Sequence, residues 1–214
     1  MSTGENARVG SAPGTLSGLL GRFAQGAPPA GSAGAAVTIV LRNGLSEVEA
    51  LLIERTERAT DPASGQVALP GGHVEDSDGS LEVTARRELA EEVGLTENDL
   101  DGPLRFVNIE HASRFGLDVA VFAGAIGPSA ARPSPLSRDE VAHVFWLPRS
   151  ALAQTTTVDR ATGFGTRPVP ATVFEGHVLW GFTRRVIRQF FGLPAEGDLG
   201  GAMFAPDPSR DRSG

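Results

Sequence analysis

The sequence predicts an α/β fold in which a single folded domain is centred on one sheet. Its 214 residues, 40% of them hydrophobic, suit one domain with a proper core. Runs of β-branched and apolar residues alternate along the chain with two stretches of helical periodicity. This alternation favours strands and helices packed in one unit over separate all-α and all-β domains.

The first two strands are expected to form a hairpin that opens the domain at about residue 35. AAVTIVLR and EVEALLIER are both rich in β-branched or apolar residues, and NGLS separates them. The Asn43-Gly44 pair inside this segment is a strong turn signal.

A strand, a tight turn and a helix should follow. QVALPGG is typical of a short strand that Pro70 and the two glycines end, and SLEVTARRELAEEVG is typical of a helix. Gly94 stands where a C-terminal glycine of that helix is expected. Further on, LRFVNIEH, GLDVAVFAGAI and HVFWLP predict three more strands, and Pro148 ends the last of them.

A closing helix is predicted from HVLWGFTRRVIRQFF. Its apolar residues recur at helical spacing and should turn inward: Val178, Phe182, Val186 and Phe190.

Both ends of the chain have the composition of tails. Residues 1–34 are dominated by Gly, Ala, Ser and Pro, and we predict a flexible N-terminal tail with one short docking helix in TLSGLLGRF. Residues 193–214 are rich in Gly, Pro and Asp and are predicted to be disordered. The folded domain therefore spans residues 35–192. The apolar residues of the short helix are Leu16, Leu19, Leu20 and Phe23.

Composition excludes several kinds of chemistry. The chain has no cysteine, which excludes disulfides and thiol catalysis, and all 19 of its basic residues are arginine, which excludes Schiff-base lysine chemistry. The net charge of -7 argues against a nucleic-acid or anionic-membrane partner. There is no apolar run long enough to span a membrane and no secretory signal, so a cytoplasmic location is expected.

The stretch RRELAEEVGL carries the strongest chemical signal. On an α-helix, where each residue advances about 100°, Glu88, Glu91 and Glu92 lie within one arc of roughly 100°. An apolar stripe of Ala85, Leu89 and Val93 borders that arc, so the carboxylates should lie at the edge of the core.

Two interpretations of this acidic helix are open. It is either a solvated face, on which Arg87 pairs with Glu91 across one turn, or a metal site at the border of the core. The preceding LPGG favours the metal site, because a glycine turn exposes backbone carbonyls close to the helix. Carboxylate and carbonyl oxygens are the ligands that Mg²⁺ or Mn²⁺ prefers.

The segment Gly72 to Leu95, GHVEDSDGSLEVTARRELAEEVGL, closely resembles the signature of the Nudix hydrolases. The second half of that signature is Arg-Glu-apolar-x-Glu-Glu-x-Gly-apolar, and this chain matches it throughout, from Arg87 to Leu95. In the first half, Asp78 stands where the family has Glu, and the chain is one residue longer, with Gly79 as the inserted residue.

The lengthened form resembles the branch of the family that contains coenzyme A pyrophosphatases. LLIERTERATDPASGQVALPGG is similar to that branch's upstream motif, and LWGFTRRVI is similar to its Trp-Gly-x-Thr helix. The branch usually has a second arginine where Thr60 stands here, and phenylalanine where Leu69 stands.

The resemblance implies a Nudix-type α/β/α sandwich with a mixed central sheet, which hydrolyses a diphosphate linkage with Mg²⁺ or Mn²⁺. Glu88 and Glu92 are expected to be the principal metal ligands, and Glu91 a further ligand or the general base. Gly72 either supplies a carbonyl ligand or is a bare turn glycine.

Four residues are expected at the substrate, although each also has a purely structural interpretation. Arg55 follows a strand and could bind phosphate. Gly71 lies in the LPGG turn before the acidic helix, where its backbone is exposed. His111 and Arg114 fall in EHASRFG, expected to be a loop between two strands. Glu140 could be another ligand, but with Ser137 it fits a capping box, which we favour.

The leading functional hypothesis is a pyrophosphatase that converts coenzyme A or its acyl derivatives into 3′,5′-ADP and (acyl)phosphopantetheine. ADP-ribose or a dinucleoside polyphosphate is the alternative substrate. From another class, a non-catalytic Nudix domain that binds a nucleotide and regulates a partner is the further alternative. The partner is thus a small nucleotide diphosphate, and a homodimer is left open.

Overall fold

The computed structural model describes residues 15–23, 28–29, 31–58, 64–162 and 165–194. The tails predicted for residues 1–34 and 193–214 therefore lie largely outside the described residues, and the division of the chain into tails and domain stays a prediction. In the described part of the chain, no helix is both long enough and apolar enough to cross a membrane.

The central sheet has seven strands, and it is mixed, as predicted. Four of them follow the hydrogen-bonded path β2-β1-β6-β5, in which β1 and β6 run parallel and the other neighbours are antiparallel. β3 and β7 pair with β2, and β4 pairs with β1. The seven strands are β1 (Ala35–Asn43), β2 (Val48–Arg55), β3 (Val67–Ala68), β4 (Gly71–His73), β5 (Arg105–Ala112), β6 (Leu117–Ala125) and β7 (Val141–Pro148).

The hairpin of β1 and β2 confirms the prediction, with Leu41 opposite Ala50 and Asn43 opposite Val48. The turn is longer than a two-residue Asn-Gly turn, because the backbone N–H of Gly44 donates to the carbonyl of Glu47 at 2.8 Å. Beyond this closed end, the two strands separate toward the opposite end of the hairpin.

β3 and β4 fill the gap between the separated strands. Val67 and Ala68 pair with β2, and the chain then crosses at Pro70 to pair with β1, where Gly72 lies opposite Ala36. The two glycines were expected to end the strand, but they form a strand of their own. The open end of the hairpin thus holds the glycine turn between β1 and β2.

The helices cover both faces of the sheet, which confirms the α/β/α arrangement. One face carries α2 (Leu81–Glu88), continued by a single π-helical turn (Leu89–Val93), and its apolar side chains pack on Ala36, Val40 and Phe122. The other face carries α1 (Leu16–Leu20) and α4 (Gly181–Phe190). Alternate residues of β1 point to opposite faces, so Ile39 and Leu41 pack beneath α1 and α4.

α1 is the short helix expected in the N-terminal segment, and Thr15 caps it by accepting from the N–H of Gly18. Leu19 is buried against the sheet, and the ring of Phe23 stacks on Phe190 with 5.4 Å between ring centroids. Arg22 donates to the carbonyl of Phe190 at 2.7 Å. These contacts fasten the segment to α4.

The second half of the domain holds a small sheet that the sequence patterns did not predict. After α3 (Arg149–Leu152), the strands β8 (Thr156–Thr162), β9 (Gly165–Phe174) and β10 (His177–Trp180) pair antiparallel. HVLW was therefore wrongly assigned to the closing helix. Gly181, with φ of 61°, turns the chain from β10 into α4 in a left-handed conformation.

Candidate active site

One hydrogen bond joins α2 to the glycine turn at the open end of the hairpin. The N–H of Gly71 donates to Oε2 of Glu92 at 2.9 Å. The carbonyl of the same peptide unit, from Pro70, accepts from the N–H of Thr38 on β1 at 2.9 Å. A single peptide group therefore connects the carboxylate of Glu92 to the central sheet, and the helix and the PGG turn form one unit.

The three glutamates lie at different depths, because the helix changes character at Leu89. Glu92 is only 3% exposed, the side chain of Glu88 is 13% exposed, and that of Glu91 is 56% exposed. The three glutamates that the sequence placed on one face therefore differ in exposure, which increases from Glu92 through Glu88 to Glu91. Gly94 ends the π-helical turn with φ of 74°, which confirms it as the C-terminal glycine.

Burial sets the electrostatics of this cluster. It raises the pKa of Glu92 to about 8, although the Gly71 N–H counteracts the shift, and the negative charge of Glu88 adds to it. Burial also raises the pKa of Glu88, against the opposing effect of Arg87. The ionised forms of these two carboxyls are therefore unfavourable as they stand, and a bound cation would stabilise them.

Gly71 and Gly72 leave no space for a side chain, for different reasons. A Cβ on Gly71 would lie 2.2 Å from the backbone oxygen of Ala36, and its φ of 150° is one that L residues rarely adopt. A Cβ on Gly72 would lie 2.3 Å from Oε1 of Glu88. Gly71 therefore allows the two strands to approach, and Gly72 leaves room for a carboxylate.

Arg87 fastens the loop between β4 and α2 to the helix. Its Nε and Nη2 donate to the two oxygens of Asp78 at 3.2 and 3.0 Å, and Nη2 also donates to the carbonyl of His73. The guanidinium of Arg87 lowers the pKa of Asp78 to about 2, helped by the N–H of Glu75. Arg87 thus anchors the helix to the loop before it.

The remaining guanidinium nitrogen of Arg87 faces the glutamates. Nη1 donates to Glu88 at 2.9 Å and to Glu91 at 3.1 Å. The pairing of Arg87 with Glu91 that the solvated-face interpretation expected is therefore present. It coexists with a buried carboxylate, Glu92, and a half-buried one, Glu88, which a solvated face does not explain.

The strand pair β2 and β7 supplies the other side of the cluster. The positive charge of Arg55, at the end of β2, acts on Glu92 and lowers its pKa in opposition to burial. The negative charge of Glu140, just before β7, raises the pKa of both Glu88 and Glu92. Arg55 therefore lies within electrostatic reach of Glu92, and Glu140 lies within reach of both Glu88 and Glu92.

The sequence patterns assigned Glu140 to a helix cap and so missed its position near Glu88 and Glu92. No helix follows Ser137, so the capping box was wrong: the N–H groups of Glu140 and Val141 both donate to the carbonyl of Ser137 in a turn. The signal was there in the sequence, since Glu140 is an acidic residue directly before an apolar strand.

The segment before β7 bridges the two sides of the cluster. The N–H groups of Ser134 and Leu136 donate to the carbonyls of Val93 and Glu92, at the end of the helix where no intrahelical donor is left. At its other end, the carbonyl of Glu140 accepts from the N–H of Thr56 at 2.9 Å. We call residues 134–140 the bridging segment.

His111 and Arg114 lie in the hairpin of β5 and β6, where His111 pairs with the neighbouring strand. His111 belongs to β5, not to a loop, and its Nδ1 is 2.7 Å from Oδ1 of Asp118 on β6. Arg114 is exposed in the turn between those strands. The structure thus brings together Glu88, Glu91, Glu92, Gly71, Gly72 and Arg55. The substrate roles of His111 and Arg114 stay predictions.

The donor set fits a hard divalent cation. Its acidic side chains offer carboxylate oxygens, and the pKa values of buried Glu92 and half-buried Glu88 are both raised. Within the described ranges, no three acidic or imidazole groups are grouped closely enough to enclose a cation as they stand. Arg87 Nη1 bridges two of the glutamates, and this contact can be exchanged because Nε and Nη2 keep Arg87 on Asp78.

Comparison with known proteins identifies the family to which this fold and carboxylate cluster belong. The model of the NUDIX domain matches residues 33–164, more than half of the chain. The protein therefore belongs to the Nudix family and is a hydrolase of that family, whose members generally use divalent cations.

Two relatives carry the name uncharacterized Nudix hydrolase NudL. The protein from Citrobacter koseri is 35% identical over 144 residues, which are 65% of this chain and 71% of the relative. The protein from Cronobacter sakazakii is 33% identical over 144 residues, 65% of this chain and 72% of the relative. The resemblance to the family thus extends over most of both chains.

A solved structure supports the fold. A MutT/nudix family protein from Enterococcus faecalis superimposes with a TM-score of 0.51 at 18% identity. The match covers 78% of this chain and 64% of that protein, which is less than two thirds of its length.

Proposed function

We propose that this Nudix hydrolase cleaves a diphosphate linkage in a nucleotide derivative with the help of Mg²⁺ or Mn²⁺. The observation that carries the proposal is a pair of carboxylates, buried Glu92 and half-buried Glu88, held against the PGG turn within electrostatic reach of Glu140. Such a group of negative charges at the core border is costly unless cations neutralise it. A diphosphate also needs cations, because the negative charge on its oxygens repels a nucleophile.

Each glutamate has a proposed role. Glu88 and Glu92 hold the cation as principal ligands, and the Gly71 N–H fixes the direction of the Glu92 carboxylate. Glu91 is the most exposed of the three, so it can reach a water molecule as general base or complete the ligand set. The carbonyl of Gly72 is a further proposed ligand.

The chemistry adds water across the P–O–P linkage: one phosphorus gains a hydroxyl and the other phosphate leaves. A bound divalent cation supplies charge neutralisation at the diphosphate oxygens and lowers the pKa of the attacking water. Arg55 is proposed to bind a non-reacting phosphate through its planar guanidinium, which suits bidentate oxygen contacts. The effect of its positive charge on the pKa of Glu92 supports this assignment.

Coenzyme A or an acyl derivative is the proposed substrate, cleaved into 3′,5′-ADP and (acyl)phosphopantetheine. The support comes from the upstream motif and the Trp-Gly-x-Thr helix. Leu69, which replaces the branch's phenylalanine, is buried in the core, so the difference is a matter of packing and not of substrate contact. Thr60 lies outside the described residues. The cytoplasmic location and a homodimer stay predictions.

The metal-site assignment is tested with Glu92→Gln, which keeps an acceptor for Gly71 but removes the charge. We expect hydrolysis to fall by about 10³-fold or more at saturating Mg²⁺, with an unchanged circular dichroism spectrum. Glu97→Gln, an exposed change just past the helix, is the matched control and should keep wild-type turnover. Wild-type turnover in Glu92→Gln would refute the assignment.

The substrate is tested by a hydrolysis screen with Mg²⁺ or Mn²⁺ over coenzyme A, acyl-coenzyme A, ADP-ribose and dinucleoside polyphosphates. Release of 3′,5′-ADP and phosphopantetheine is the expected result. Cleavage of ADP-ribose or of a dinucleoside polyphosphate without cleavage of coenzyme A would replace the proposed substrate and leave the metal-site assignment in place.

A further inference from the structure

A polar contact joins the small sheet to the central sheet on the face opposite α2. Nδ1 of His177, the first residue of β10, donates to Oε2 of Glu54 on β2 at 2.9 Å. The His177 ring also stacks on Phe145 of β7, with 4.0 Å between ring centroids and 6° between planes. His177 thus contacts both strands of the β2 and β7 pair.

The contact lies directly behind Arg55. Glu54 and Arg55 are consecutive in β2, so their side chains point to opposite faces of the sheet. Glu54 faces His177, whereas Arg55 faces Glu92 and lowers its pKa against the effect of burial. Any displacement of Glu54 is therefore passed to Arg55 through one peptide unit.

The pairing of β2 with β7 is irregular at this point. Glu54 lies opposite His143 and Arg55 opposite Val141, so a bulge interrupts the ladder between the two residues of β2. The extra residue of this bulge is Ala142 on β7, so the ladder between the strands is incomplete beside Arg55. The ladder of β2 and β7 alone therefore does not fix the end of β2 that carries Arg55.

We propose that His177 is a positioning residue for the hydrolysis, acting through Glu54 and the end of β2 to align Arg55. His177 supplies two restraints, a hydrogen bond that fixes Glu54 and a ring stack that fixes β7. The proposal rests on the proposed function, in which Arg55 binds a substrate phosphate. It adds a role for the small sheet, which otherwise has no contact with the reaction.

The test is a double-mutant cycle between His177 and Arg55, with kcat and KM measured on the hydrolysed substrate. His177→Phe keeps the stack on Phe145 and removes the bond to Glu54. In the wild-type background we expect kcat/KM to fall about 10- to 100-fold, as for a misaligned substrate contact. In the Arg55→Ala background the same change should alter kcat/KM by less than about twofold, because its target is already absent.

Two further variants guard against a misfolded His177→Phe protein. Glu54→Ala removes the acceptor and so breaks the same contact from the other side, and its loss should match that of His177→Phe. Glu49→Ala removes a comparable bond, in which Arg42 donates to Glu49 at 2.7 Å, on the same strand near the closed end of the hairpin, and should leave kcat/KM unchanged. Thermal melting checks that all variants are folded.

The outcomes separate the two proposals. Equal losses from His177→Phe in both backgrounds, or no loss in the wild-type background, would overturn the positioning role. An Arg55→Ala protein with wild-type KM and kcat would instead refute the phosphate contact, and the positioning role with it. Glu92→Gln tests the metal site independently of both.

Discussion

Two adjacent glycines, Gly71 and Gly72, are required by different neighbours, and this difference is visible only at the scale of single residues. The neighbour of Gly71 is rigid backbone, the oxygen of Ala36, whereas the neighbour of Gly72 is the end of a flexible side chain, Glu88. The sequence motif presents the two as equivalent. The structure predicts that their substitution affects different properties.

Gly71→Ala should destabilise the fold, because neither the carbonyl of Ala36 nor a φ of 150° can accommodate a Cβ. A loss of about 3 kcal/mol or more in the free energy of unfolding is expected. Gly72→Ala should cost about 1 kcal/mol at most, because Glu88 can swing away, but it should lower kcat/KM at least tenfold. Urea unfolding and steady-state kinetics measure the two effects, and the reverse ranking would contradict the geometry.

The raised pKa of Glu92 predicts how the stability of the cation-free protein depends on pH. Burial raises its folded-state pKa to about 8, above the ordinary value of 4.5. The fold therefore favours the neutral carboxyl, and wild-type stability should decline as the pH rises from about 4.5 through 8. Glu92→Gln should remove this decline and be more stable than wild type at pH 8 to 9 in chelator, by on the order of 2 kcal/mol.

The check is unfolding by urea at pH 5 and pH 8.5 with EDTA present. At pH 5 the two proteins should be about equal in stability. Added Mg²⁺ should raise the stability of wild type more than that of Glu92→Gln. A wild-type protein that loses nothing between these pH values would contradict a buried, neutral Glu92.

At the scale of elements, the loop from β4 to α2 explains how the chain departs from the family signature. Asp78 is one methylene shorter than glutamate, and the chain is one residue longer at Gly79. Asp78 nevertheless receives both Nε and Nη2 of Arg87, as well as the hydroxyl of Thr84 at 2.9 Å. Gly79 has open space around it, so the added residue creates no clash.

The Asp78 contact should give stability that depends on pH. Because Arg87 lowers the folded-state pKa of Asp78 to about 2, the stabilisation is present above the unfolded pKa near 4 and is lost as the pH falls toward 2. Asp78→Asn should cost roughly 1 kcal/mol at pH 6, once solvent screening is allowed for, and less at pH 3. Asp76→Asn, an exposed change in the same loop, is the control for urea unfolding at both values. An equal loss at both pH values would contradict the ion pair.

Element prediction from sequence succeeded where the hydrophobic period was unbroken and failed where a local conformation interrupted it. The strands β1, β2, β5, β6 and β7 and the acidic helix were predicted. The boundary between β10 and α4 was missed, because the apolar spacing continues across Gly181 while its left-handed φ ends the strand. β8 and β9 were missed because their Thr, Gly and Pro residues resemble a loop.

The candidate site shows the same division. Its acidic helix and glycine turn were predicted because they are contiguous in sequence and carry a recognisable motif. Glu140 was assigned to a cap because its proximity to Glu88 and Glu92 depends on β7 pairing with β2, a long-range contact that no local pattern encodes. His111 illustrates the converse, since a polar residue beside a turn proved to belong to a strand and to pair with Asp118.

At the scale of the whole molecule, the sheet separates two surfaces with different tasks. α2 and the carboxylates occupy one face, and α1 and α4 close the core on the other. Leu19 of α1 is buried between the sheet and α4, on the face away from the carboxylates. The N-terminal segment therefore contributes to stability from the side of the sheet away from the carboxylates.

Leu19→Ala should lower the free energy of unfolding by about 2 to 4 kcal/mol through loss of buried surface and the cavity left behind. The folded variant should keep the kcat/KM of wild type at 15 °C. Leu45→Ala, a fully exposed change in the turn between β1 and β2, should alter neither quantity and serves as the control. A large loss of kcat/KM in folded Leu19→Ala would contradict this and show that α1 also supports the site.

The bridging segment has a consequence for how this scaffold can diversify. Its ends are fixed, at the carbonyls of Glu92 and Val93 and at the N–H of Thr56, and only a few residues connect them. An insertion between Ser134 and Glu140 would shift the acidic side chain away from the helix. Insertions before Ser134, in the proline-rich stretch from Gly127, leave both anchors in place. Lineages that acquire new substrates are therefore expected to vary in length there, while the distance from Ser134 to Glu140 stays constant.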